Sequence, residues 1–194
     1  MIRGTKTFVL LLALCSACAG DTKGSQSATT TAAATVAQTA RTLDACALLL
    51  KVDVDAAFAP RTFTLEPKVQ PDIASTGKLA AVSTCTFVSR GATIREMMTV
   101  GLLARRAPSD ASGVTVATAK SGAVQLRATP VDVPGLGDAA YWVNLGSANR
   151  PDIQLNVFKG EQLWLIFSAS AAGLNADTAV EHLTTLAEAA LARL

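Results

Sequence analysis

Large apolar residues are distributed along this chain in three regimes. They are continuous from Phe8 to Leu14, almost absent from Ala19 to Arg41, and periodic from about Thr42 onward. The periodic part opens with Asp44, a good helix N-cap, before Cys46, Leu48, Leu49 and Leu50. Asp53 is placed to cap a second turn ending at Phe58, before Pro60, so a short helical hairpin is predicted. Residues 60–78, with three prolines, predict an irregular excursion with one edge strand over Thr62–Leu65. Ala81–Val88 alternates as a strand, with Cys85 and Phe87 on one face, and Met97–Ala104 predicts a more buried strand. Between Ser109 and Ser121 a helix starting at Ser109 or Asp110 competes with a strand through Val114 and Val116, and the helix is favoured. Further strands are predicted at Val124–Thr129, Ala139–Asn144 and Asp152–Phe158; the last turns at Lys159-Gly160 into Gln162–Ser168. Asn175 then caps a long helix with Val180, Leu183, Ala187, Ala190, Leu191 and Leu194 on one stripe. The expected fold class is α+β, an antiparallel sheet of about five to seven strands packed with the N-terminal helical hairpin and the C-terminal helix.

The first regime has the form of an export signal. Arg3 and Lys6 precede the apolar run, and Leu14-Cys15-Ser16-Ala17-Cys18 follows it with small residues before a cysteine. The run is far shorter than the roughly 20 residues a membrane-spanning helix needs. These residues resemble the lipobox of bacterial lipoproteins, which implies cleavage before Cys18, lipidation of Cys18, and anchoring of the chain to the cell membrane or outer membrane. Cys15 stands where that pattern usually has Leu. The alternative is ordinary secretory cleavage near Ala19 or Gly20, releasing a soluble protein. By the same resemblance, Ala19 rather than Asp after Cys18 favours release from the inner membrane where an outer membrane exists.

The second regime, 19–41, is too poor in large apolar side chains to repay the entropy of ordering and is expected to be a disordered tether. As a flexible chain it spans about 25 Å. The expected organisation is therefore a signal peptide at 1–18, a tether at 19–41 and one globular domain at 42–194, long enough to bury a self-sufficient core. Removing Arg3, Lys6, Lys23, Arg41 and Asp21 from the chain's 17 basic and 15 acidic residues leaves 13 against 14. A near-neutral domain with scattered cations argues against a nucleic-acid partner.

Chemistry-bearing residues are few. With Cys15 removed and Cys18 lipidated, Cys46 and Cys85 remain as an even pair in an oxidising compartment, and a Cys46–Cys85 disulfide pinning the first helix to the sheet is expected. The competing readings, a reactive thiol or a metal ligand, are weakened by the presence of a single histidine, His182. His182 falls beside Glu181 and off the apolar stripe, so a solvated surface histidine is expected there. Gly135-Leu136-Gly137-Asp138-Ala139-Ala140 matches a dinucleotide-binding string but runs into strand-like Tyr141-Trp142-Val143, so a tight turn is expected. Tyr141, Trp142 and Trp164 are candidates for an aromatic binding surface, with core packing as the alternative. Arg105 and Arg106 suggest a solvated strand end. No catalytic residues, cofactor or metal are expected.

The set Asp44-Ala45-Cys46-Ala47-Leu48-Leu49, Cys85-Thr86-Phe87, Pro134 to Trp142 and a final amphipathic helix resembles a broad family of small uncharacterised exported bacterial lipoproteins. The resemblance implies an α+β domain with one disulfide from the first helix to a strand, and similar folds serve as extracytoplasmic sensor modules. It supplies no active site to carry over, and Ala45 stands where the family often has Pro. The expected function is a non-catalytic module at the cell envelope, with the membrane as a partner through the lipid and an envelope protein or small ligand as a second. The alternatives are an envelope-acting enzyme with an unfamiliar site, signalled by a deep polar cleft, and a structural or inhibitory surface lipoprotein, signalled by a flat patch.

Overall fold

The first helix of the domain, α1 (Ala45–Leu48), begins where Asp44 accepts a hydrogen bond from the Cys46 amide at 3.0 Å. The computed structural model describes residues 43–68, 71–74, 80–108 and 113–194. The expected signal peptide, tether, Cys18, and helix start at Ser109 or Asp110 lie outside the described residues. After α1 the chain turns at once into α2 (Lys51–Ala57), which completes the expected hairpin. Asp53 does not cap α2, contrary to expectation. Leu50 holds the cap position without a side-chain bond, and Asp53 sits in the first turn, where it pairs with Arg193.

Seven strands form one antiparallel sheet: β1 (Thr64–Leu65), β2 (Ala81–Ser89), β3 (Met98–Arg106), β4 (Val131–Asp132), β5 (Ala139–Asn144), β6 (Asp152–Lys159) and β7 (Leu163–Ala171). Their order is β1-β2-β3-β7-β6-β5-β4, so two meanders join along β3 and β7, with Leu102 opposite Phe167. Both outer strands are only two residues long, which limits the unpaired edge open to another chain. The predicted hairpin turn at Lys159-Gly160 is present, with Gly160 at φ 60°.

Alternation along the strands makes two faces. The inner face carries Cys85, Phe87, Val100, Leu102, Leu155, Val157, Leu165 and Phe167, all buried against α1, α2 and the C-terminal helix α4 (Ala176–Leu191). Asn175 caps α4 by accepting from the Thr178 amide at 3.0 Å, as expected. Its buried stripe is Ala179, Leu183, Leu186, Ala187 and Ala190. Val180 and Leu191 flank it half-buried, and Leu194, expected on the stripe, is 49% exposed because the helix has already ended.

The remaining helix, α3 (Val116–Gln125), packs on the outer face over β5. Thr115 caps it by accepting from the Thr118 amide at 3.2 Å. A helix does form in this region, but it starts at the Thr115 cap and not at Ser109 or Asp110, and the strand expected over Val124–Thr129 does not form. Val116, Ala119 and Ala123 recur at helical spacing and meet Tyr141, Val143 and Phe158. Val124 and Leu126, within the stretch expected to be a strand, are 59% and 69% exposed.

Candidate functional site

Cys46 and Cys85 form a disulfide, with their Cα atoms 5.0 Å apart across 39 residues of sequence. Strand alternation turns both Ser83 and Cys85 inward, and the buried Ser83 hydroxyl accepts from the Ala45 amide at 2.9 Å. The first turn of α1 is thus held to β2 by a covalent bond and a hydrogen bond side by side. This use of both sulfurs takes them out of nucleophilic or metal chemistry. Among the described residues, no group of three or more His, Cys, Asp or Glu side chains could hold a metal ion.

The three candidate aromatics do not converge. Tyr141 and Trp142 are adjacent on β5 and so point to opposite faces. Trp142 joins the inner core, whereas Tyr141 lies under α3. Trp164 shares the outer face with Tyr141, but Phe158 stands between them, 6.3 Å from the Tyr141 ring and 5.8 Å from Trp164. The Trp164 indole donates to the buried Asn156 side chain at 3.1 Å. Burial pushes the Tyr141 hydroxyl above its ordinary pKa. Lys120 of α3 lies 5.7 Å from the Tyr141 ring centroid and pairs with Asp132 of β4. The row is a packed seam between α3 and the sheet, the core alternative for these residues.

Gly135 and Gly137 have positive φ, 81° and 60°, and make the expected tight turn into β5. Asp138 closes it by accepting from the Gly160 amide at 2.6 Å and the Lys159 ammonium at 3.0 Å. These two partners, the amide first, hold its carboxyl below the ordinary carboxylate range. The string ties one turn to another and opens no helix.

A cleft of about 190 Å³ lies between the end of α2 and the start of α4. Phe58, Met98, Ala171 and Leu174 make its apolar wall, and Arg61 and His182 are its basic groups. His182 is not the solvated surface residue expected. It is half-buried, with its ring 4.9 Å from that of Phe58 in an edge-to-face arrangement. Its place between Ala179 and Leu186, at the border of the buried stripe, is the sequence signal for this packing. Arg61 carries no such signal, since it follows Pro60 in a stretch without period. A wider, more open trough of about 550 Å³ lies at the other end of the sheet, where Arg106 and Lys159 flank Leu194. Arg105 and Arg106 are themselves half-buried, more enclosed than a solvated edge.

The outward side chains of β2, β3 and β7, including Thr84, Thr86, Leu103, Ile166 and Ser168, are half-buried and stand outside the cluster that α3 covers. No helix among the described residues is long and apolar enough to cross a membrane. Comparison with protein-family models, with curated proteins and with solved structures finds no match to this chain.

Proposed function

We propose that this chain is an extracytoplasmic, lipid-anchored lipoprotein whose domain, residues 42–194, is a non-catalytic ligand- or protein-binding module at the cell envelope. The Cys46–Cys85 disulfide carries the reading. Such bonds persist in oxidising compartments, and the chain's first 18 residues have the layout of a signal that delivers a protein there. Lipidation at Cys18 would hold the domain at the membrane, and the Ala- and Thr-rich 19–41 segment would set its reach. The binding role is supported by a small cleft with basic groups on an apolar wall.

The test is the intact mass of the protein purified from its native membrane, with and without reduction and thiol labelling. A chain beginning at Cys18 with added acyl mass and two masked thiols is expected. An unacylated chain with two labelled thiols overturns the reading.

The outer face of β2, β3 and β7 favours a second reading, a surface lipoprotein that covers a flat area of a partner. Crosslinking from Thr84→Cys and Ser168→Cys to one envelope protein in intact cells would favour this reading. Loss of that crosslink on competition by a small ligand would favour the first.

A further inference from the structure

We infer that the cleft between α2 and α4 binds a small monocarboxylate with a short aromatic or branched apolar tail. This rests on the domain being a binding module and is independent of the lipid anchor.

Three observations converge on that ligand class. The first is room. Ala171 and Ala172 lead into Gly173, which has φ 68° and open space where a side chain would stand. Small residues at this corner leave a cleft of about 190 Å³ unfilled. That is below the roughly 300–1,000 Å³ of sites for drug-sized molecules, so the ligand is small.

The second is an unneutralised cation. Arg61 is in an ion pair with no carboxylate among the described residues, and its one hydrogen bond there is from Nη1 to the Glu96 carbonyl oxygen at 3.0 Å. The Glu96 carboxylate is turned away, accepting from the Ala92 and Thr93 amides. Asp55, the acid nearest before Arg61 in the chain, is held by Lys51 and by the Phe63 amide. Lys159 and Arg193, which line clefts at the other end of the sheet, are paired with Asp138 and Asp53, whereas Arg105 and Arg106 there, like Arg61, have no acid partner among the described residues, so Arg61 is set apart by the apolar surface beside it. The planar guanidinium matches a carboxylate through two parallel N–H donors.

The third is the wall beside that charge. Phe58 and Met98 line the cleft but are already almost wholly buried, at 6% and 2% exposed, so its accessible apolar surface is that of half-buried Leu174 and the His182 ring, which stands edge-on to Phe58. An apolar tail laid there loses contact with water, while the carboxylate stays beside Arg61 at the open rim. The Thr178 side chain, exposed on the first turn of α4, adds a hydroxyl to the same rim.

The experiment titrates the full chain with benzoate, with benzyl alcohol as its uncharged counterpart, and with inorganic phosphate as an anion lacking a tail. Nuclear magnetic resonance follows the Gly173 amide and the His182 imidazole. Benzoate is expected to give saturable shifts at both, with benzyl alcohol weaker by about tenfold or more, as loss of a charge-assisted hydrogen bond implies. Phosphate should give no saturable shift at either. Arg61→Gln should weaken benzoate by about tenfold, the same interaction removed from the protein side. Thr178→Phe, an exposed helix position that keeps its backbone cap, should plug the cleft and abolish the shifts. The inference is overturned if benzoate leaves both signals unmoved at millimolar concentration, if benzyl alcohol or phosphate binds as well, or if both variants bind benzoate like the parent chain. An acylated, disulfide-bonded chain that ignores benzoate overturns the cleft alone. An unacylated chain with free thiols overturns the export reading alone.

Discussion

At Gly137 two demands meet in one residue. Its φ of 60° is a conformation that side chains oppose, and a Cβ built there would stand 2.6 Å from the Phe158 carbonyl oxygen and 2.9 Å from Val157 Cγ1. That carbonyl also accepts the Asp138 amide at 2.9 Å, so the turn cannot give way without losing a bond. Gly135, two residues earlier, has φ 81° but open space around it. Gly135→Ala should therefore cost about 1 kcal/mol, the conformational term alone, and Gly137→Ala about 3 kcal/mol. Urea unfolding of the two variants separates the terms; equal losses would show that the close approach to Phe158 is relieved at no cost. Asp152, half-buried on the outer face, is the reverse of Asp138. Burial raises its carboxyl above the ordinary value, only partly offset by a hydrogen bond from Gln154. The folded state thus favours the protonated acid, and its contribution is fully present below the unfolded carboxylate pKa and lost as pH rises through the folded one. Asp152→Asn should accordingly stabilise the protein at neutral pH, with the gain vanishing on acidification below the carboxylate range. Paired urea titrations at neutral and acid pH check it, and a variant less stable at neutral pH would contradict it.

At the scale of elements, α1 is four residues long and cannot persist as an isolated helix. It is fixed by the Cys46–Cys85 bond, the Ser83 hydroxyl and Arg193, whose Nη1 donates to the Leu48 carbonyl at 2.9 Å. Replacing both cysteines by alanine should lower stability by about 2–4 kcal/mol, chiefly by freeing a loop of 39 residues in the unfolded chain. A denaturation midpoint unchanged from the parent would refute that role. On α4, Leu183 is wholly buried, so Leu183→Ala should cost about 2–5 kcal/mol. At the C-cap of α3, Leu126→Thr should change stability by less than about 0.5 kcal/mol, since the side chain is 69% exposed. The contrast tests the assignment of 124–126 to a helix end rather than a strand, where an alternate-face leucine would be buried.

At the scale of the molecule, the two meanders are stitched by β3 and β7, strands more than fifty residues apart in the chain. That long-range pairing closes the inner core and leaves the outer face divided between an α3-covered half and the half-buried face of β2, β3 and β7. The cleft arises at one end of the same construction. Phe58, Met98, Ala171 and His182 come from four separate segments and meet only when α4 lies across the sheet.

Local pattern alone determined the α+β class, most strands, the Asn175 cap and the turn at Gly135–Gly137, because each depends on neighbours within a few residues. The cysteine pair was legible too, since Cys46 and Cys85 are the only cysteines beyond residue 18 and so leave few options. Tertiary contact decided the rest. The apolar positions Val124, Leu126 and Ala128 alternate like a strand, but Thr115 caps a helix ahead of them and Tyr141 and Phe158 receive its apolar face. Tyr141, Trp142 and Trp164 looked alike as aromatics, yet the two-residue period of β5 and its pairing through β6 to β7 set Trp142 on one face and the others on the opposite face. Arg61 and His182 gained a shared cleft only from the way α4 crosses the end of α2, a relation between distant segments that no local window contains.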